Sequence, residues 1–131
     1  METLSISTDA RLTTVDVTDR VGDVVPDGVT GTCTAFVPHT TAGVVLQENE
    51  AGLRRDLEAV FEDLVADRGW DHDRIDDNAD AHLRATLVGP NVTVPVSDGD
   101  LALGTWQSVL FVECDGPRSR TMRVTVAESP G

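Results

Sequence analysis

Apolar residues recur at every second position toward both ends of this chain and at helical spacing only in its middle, an order of periods that leaves few folds open. Leu4 and Ile6, then Leu12, Val15 and Val17, sit among polar residues and predict an opening pair of strands. Thr18 is expected to cap a short helix running through Val21 and Val25, closed by the turn Pro26-Asp27-Gly28. Residues 29–37, rich in Thr, Val and Phe, and the apolar run 42–46 predict two more strands. The break between them, Pro38-His39-Thr40-Thr41, reads as a loop that delivers polar groups to the end of a sheet. Leu53, Leu57, Val60, Phe61 and Leu64 then define a helix face, with Glu48 or Glu50 placed to cap it. Residues 71–77 read as an irregular polar loop, and 79–87 as a shorter helix with Leu83 and Leu87 one turn apart, stopped by Gly89-Pro90. Strands return with Val92, Val94 and Val96, a hairpin turn at Ser97-Asp98-Gly99-Asp100, then 106–113 and 121–127. Strands, then two main helices, then strands predict a single α+β domain over residues 1–131 with mainly antiparallel pairing.

Charge narrows the partners. Twenty-three acids face ten bases for a formal charge of -13, and all ten bases are arginine. Nucleic-acid binding is not expected, because phosphate neutralisation needs clustered cations. The acids are spread along the chain, as adaptation to a high-salt cytoplasm would spread them; a basic partner is the rival reading. No apolar run reaches the roughly 18 residues of a membrane span, and Met1 to Leu12 has no signal-like pattern, so a cytoplasmic location is expected. Cys33 and Cys114 have no metal-type spacing and read as buried reduced thiols, with a nucleophilic Cys33 as the alternative.

The only three histidines carry most of the chemistry. His39 opens a loop, His72 sits in an acidic stretch, and His82 lies on the short helix four residues after Asn78 and on the same face. Two uses stand open: ligands of a divalent metal, zinc first and magnesium second, or general acid–base groups. Other candidates are Thr40 beside His39, the polar run of Glu48 and Asn49, and Thr105-Trp106-Gln107, where the indole offers a stacking surface. Arg118 and Arg120 can grip a phosphate or pair with the neighbouring acids.

Five blocks taken in order resemble the YjbQ-like family: Pro38-His39-Thr40-Thr41-Ala42-Gly43, Glu48-Asn49, Asn78-Ala79-Asp80-Ala81-His82-Leu83, Leu103-Gly104-Thr105-Trp106-Gln107, and Glu113-Cys114-Asp115-Gly116-Pro117-Arg118. The similarity runs from about Leu4 to Ala127, with one departure, Asp77, where the family often carries glycine; aspartate also tolerates turn conformations. The resemblance implies a β-sandwich-like core, a homotrimer with sites near subunit boundaries, and a secondary thiamine-phosphate synthase activity that joins a pyrimidine diphosphate to a thiazole phosphate. A small phosphorylated metabolite is then the expected ligand. Two other functions fit the residues: a zinc hydrolase in which His39, His72 and His82 hold the metal and Glu48 is the base, and a trimer that binds a metabolite or metal without turnover.

Overall fold

The computed structural model describes residues 1–130. Eight strands form two sheets: β1 (Glu2–Ser7), β2 (Thr13–Asp16), β3 (Gly31–Phe36), β4 (Ala42–Gln47), β5 (Asn91–Ser97), β6 (Asp100–Leu101), β7 (Ser108–Glu113) and β8 (Ser119–Glu128). The larger sheet has the order β1-β8-β3-β5-β6, the smaller β2-β7-β4, and every pairing is antiparallel. Helix α1 (Thr18–Gly22) is short, while α2 (Ala51–Leu64) and α3 (Ala79–Val88) supply the helical layer, so the α+β architecture agrees with the sequence.

Strand β7 explains the layering. Val109 and Phe111 face the apolar core that Ile6, Cys33, Ala35, Met122 and Val124 complete from the larger sheet. Val112 and Cys114 point the other way and pack under Ala81 and Ala85 of α3, with Phe61 of α2 against them. A strand covered on both faces reads as a continuous apolar run, which is what Val109 to Val112 is.

Several expectations shift at their edges. Leu83 and Leu87 do not face the core: they are 38% and 62% exposed, while small Ala81 and Ala85 on the adjacent face let α3 lie close to the sheet. Residues Asp71–Arg74 form one turn of 3-10 helix inside the expected loop. Strand β7 begins at Ser108 rather than Trp106, and Val17 lies past the end of β2, its N–H bonded to the Val109 carbonyl at 2.9 Å. Thr18 does not cap α1 with its side chain; its hydroxyl accepts the Val109 N–H at 2.8 Å instead. Glu50, not Glu48, caps α2, accepting from the N–H groups of Gly52 and Leu53. Two turns hold as read: Asp98 and Gly99 both have positive φ, as a tight hairpin requires, and so does Asp77, at 54°.

Candidate functional site

The small sheet sets the geometry, because β4 pairs with β7 from Ala42↔Glu113 at one end to Gln47↔Ser108 at the other. The loop carrying His39, the start of α3 and the β7–β8 turn all gather at the Ala42 end. There a cleft of about 380 Å³ is lined by Pro38, His39, Thr40, Thr41, Asp76, Asn78, His82, Arg118 and Arg120. Six expected site residues, His39, Thr40, Asn78, His82, Arg118 and Arg120, therefore meet. His72 stands beside them, its ring edge-to-face with His82 at a centroid separation of 4.6 Å.

The second group goes elsewhere. Glu48 and Asn49 follow Gln47, and Thr105, Trp106 and Gln107 precede Ser108, so all five lie at the far end of the same strand pair. Six residues of strand separate the two ends by about 17 Å. Asn49 serves the fold there, donating to Asp16 at 2.8 Å and accepting from Arg54 at 2.9 Å. The Gln107 side chain accepts from the Gly104 N–H, and Trp106 stands 72% exposed. Glu48 cannot act on a water held by the histidines of its own chain.

Asp115 organises the cleft, although the sequence singled it out only as an acid next to the arginines. It accepts from Asn78 Nδ2 at 2.9 Å and from Arg118 Nη2 at 3.1 Å. Facing a carboxylate fixes the amide: the nitrogen of Asn78 turns to Asp115, and its Oδ1 is left as a buried acceptor with no partner among the described residues. The Arg118 Nε also bonds the Asp115 carbonyl, which leaves Nη1 without a hydrogen bond among the described residues. Asp80, at the start of α3, takes a bidentate Arg11 at 2.9 Å and Arg84 at 3.0 Å. The Arg11 hydrogen bond is the main reason its carboxyl is held below the usual aspartate range.

Arg120 is a wall rather than a grip. It is 4% exposed and paired with Glu113, itself fully buried, through Nε at 2.8 Å and through Nη2. Thr8 donates to the same carboxylate at 2.8 Å, and Thr41 accepts from Arg120 at 2.9 Å. Burial alone pushes the Glu113 pKa up, but the Arg120, Asp115 and Thr8 hydrogen bonds outweigh it and leave it lowered. Of the two readings of Arg120, pairing with a neighbouring acid is the one the geometry carries.

His39 has a lowered pKa, first from burial and then from the nearby Arg120 charge, so its ring is neutral at neutral pH. Among the described residues no group of three or more His, Cys, Asp or Glu side chains is gathered to hold a metal ion. His39, His72 and His82 are not brought together as such a group, so the described residues of one chain do not present the expected three-histidine zinc set. Both cysteines are buried and free; burial raises the Cys33 thiol and pushes Cys114 up to about 12, which disfavours the thiolate in each.

Comparison with known proteins covers the whole domain. The family model described as "UPF0047 protein YjbQ-like" matches residues 2–129. A UPF0047 protein of Archaeoglobus fulgidus is 48% identical over 122 residues, 92% of this chain and 96% of that one. The crystal structure of a hypothetical protein from Aeropyrum pernix superposes with a TM-score of 0.92 at 41% identity, covering 98% of this chain and all of that one. A Sulfolobus solfataricus protein described as YbjQ-like and of unknown function has a TM-score of 0.89 at 38% identity, over 94% and 92% of the two chains. No helix is long and apolar enough to cross a membrane among the described residues.

Proposed function

The chain belongs to the YjbQ-like UPF0047 family, and from that premise we propose that the His39–Arg118 cleft binds a small phosphorylated metabolite and supports a transferase reaction of the thiamine-phosphate synthase type. The observation that carries the proposal is the donor set of the cleft. Arg118 offers a free guanidinium edge, Thr40 a hydroxyl, and His39 and His82 ring nitrogens, all around one opening. Such a set suits the oxygens of a diphosphate.

In this reaction the bond from the pyrimidine methylene carbon to the diphosphate oxygen breaks, and that carbon forms a bond to the thiazole ring nitrogen. The leaving group departs with the electron pair, so charge grows on diphosphate oxygens. Fixed donors aimed at those oxygens favour the transition state over the ground state. Arg118, held by Asp115 on two of its nitrogens, is already oriented and loses little freedom on binding. Because the histidines of one chain do not form a metal set, no step is routed through a metal here.

The far-end group, with exposed Trp106, completes the reading across a boundary. In a homotrimer the Glu48–Trp106 end of one subunit would meet the His39–His82 end of the next, giving the heterocycle an aromatic face to stack on. The same boundary would bring Glu48 to the histidines, so what weighs against the hydrolase reading is the zinc set alone, which is not gathered among the described residues of one chain. The test is pyrophosphate release from a pyrimidine methyl diphosphate and a thiazole phosphate, alongside calorimetry with inorganic pyrophosphate. The parent should bind and turn over, and Arg118→Ala should weaken binding by roughly tenfold to a hundredfold, the worth of a charge-assisted hydrogen bond. Binding without turnover would reduce the protein to a metabolite-binding trimer, and no binding would sink the proposal.

A further inference from the structure

The pairing of β3 with β8 runs from Gly31↔Glu128 to Phe36↔Arg123. Two residues further, the register sets Pro38 against Thr121, and Pro38 has no N–H to offer the Thr121 carbonyl. The strand stops at Phe36, and the His39 ring takes the place a strand would have filled. The Thr121 N–H donates to His39 Nε2 at 3.0 Å, and the Thr121 carbonyl lies 3.1 Å from the same nitrogen.

One ring nitrogen cannot accept from the N–H and donate to the carbonyl at once. The main-chain N–H has no choice of role, and an unpaired N–H away from water is rarer than a carbonyl short of a donor. Nε2 is therefore the acceptor, and in a neutral ring the proton sits on Nδ1. Burial and the adjacent Arg120 charge keep the ring neutral, which agrees with this state. His39 Nδ1 has no hydrogen-bond partner among the described residues, so its N–H is the polar group the ring has left for a ligand.

We propose that the break at Pro38 locks His39 as the Nδ1–H tautomer, making it a fixed N–H donor for an anionic oxygen and barring it from metal ligation. A metal needs a lone pair, and the only one on this ring is committed to Thr121. The inference rests on the anion-site reading for its ligand, but the tautomer can be measured without any ligand.

Protein labelled with 15N-histidine, with signals assigned through His39→Gln, His72→Gln and His82→Gln, gives the proton position from long-range 1H–15N correlations at neutral pH. A protonated Nδ1 and an unprotonated Nε2 on His39 are expected, unchanged when one equivalent of zinc is added. The reverse pattern, a doubly protonated ring, or a His39 signal moved by zinc would overturn the assignment. Calorimetry with inorganic pyrophosphate tests the donor role. His39→Asn, which keeps an N–H near the Nδ1 position, should retain most of the affinity, whereas His39→Ala should lose roughly tenfold. Equal losses would refute the donor role. A parent protein that does not bind pyrophosphate counts against the anion-site reading alone, and the ligand-free spectrum still decides the tautomer.

Discussion

Glu113→Gln isolates the energetic cost of the wall behind the cleft. The substitution keeps volume and shape while removing the charge and replacing one acceptor oxygen with a donor. In the parent, Glu113 accepts from Thr8, from two nitrogens of Arg120 and from the Asp115 N–H at 3.1 Å, so all four contacts are donors. A glutamine brings an NH2 group into that set, and its two hydrogens must face the Asp115 N–H and Arg120 Nη2, or Thr8 and Arg120 Nε if the amide turns over. Either way Arg120, 4% exposed, keeps its charge without a counter-ion. Breaking a buried pair from one side costs about 3–5 kcal/mol. Against a total of about 5–15 kcal/mol for a domain, that is a large share.

Urea denaturation followed by circular dichroism, at one fixed protein concentration, measures the loss; the thermal midpoint should fall by roughly 10–20 °C. A pH series adds a check on the cause. Glu113 titrates lower in the folded protein than its ordinary value of 4.5, so its stabilisation is complete above that value and is lost as pH falls through the folded pKa. The gap between parent and Glu113→Gln should therefore be full at neutral pH and close progressively in acid below 4.5. A variant within about 1 kcal/mol of the parent at neutral pH, where an ordinary surface change would fall, would refute the argument. So would a gap that persists unchanged in acid.

Gly43→Ala should destabilise by about 1–3 kcal/mol in the same assay, because an added Cβ would lie 2.4 Å from the Gly89 carbonyl oxygen and 2.6 Å from Val88 Cγ1 where α3 meets β4. Unfolding temperature should climb as salt rises from dilute buffer to molar levels, since the charge of -13 is spread over the surface; a flat response would point to a basic partner. If the site is shared across a trimer boundary as proposed, equal mixing and reassembly of inactive His82→Ala and Trp106→Ala proteins should restore roughly one quarter of parental activity, the random fraction of boundaries that pair both intact residues. No recovery would place both residues in one subunit's site or neither in it.

The larger sheet was legible because its strands have a buried and an exposed side and alternation survives in the sequence, and β7 because burial on both faces leaves an apolar run. What misled was size. Periodicity weighs Leu83 and Leu87 as core, yet α3 approaches the sheet through Ala81, Ala85 and Gly43, whose smallness is the requirement and whose signal is faint. The site was half legible for a related reason. Motif blocks marked His39, Asn78 and His82, and Glu48 already falls past the far end of the run 42–46, but nothing in the spacing says which of these ends Trp106 joins. The β4–β7 register sets Trp106 beside Glu48 and away from the histidines. Asp115 escaped because an acid beside two arginines reads as their partner, and its second bond, to Asn78, joins residues far apart in the chain.

The charge distribution ties the cleft to the rest of the molecule. A surface of -13 repels any phosphorylated ligand at long range, and the cleft can hold one only where that field is locally cancelled. Arg118 and Arg120 line it with Asp76, and their partners Asp115 and Glu113 stand directly behind them. The cleft is thus close to neutral in a strongly acidic protein. Both arginines are tied to carboxylates and contribute by cancellation, and on the proposed reading Arg118 would add contact through its remaining edge. Salt separates the two effects. Raising ionic strength to the molar range shortens the screening distance from about 10 Å to about 3 Å, which removes the long-range repulsion while leaving direct hydrogen bonds to the anion in place. If the cleft binds an anion as proposed, affinity for inorganic pyrophosphate should therefore hold or rise between dilute buffer and molar salt, and a steep loss would show that the contact is mainly long-range charge.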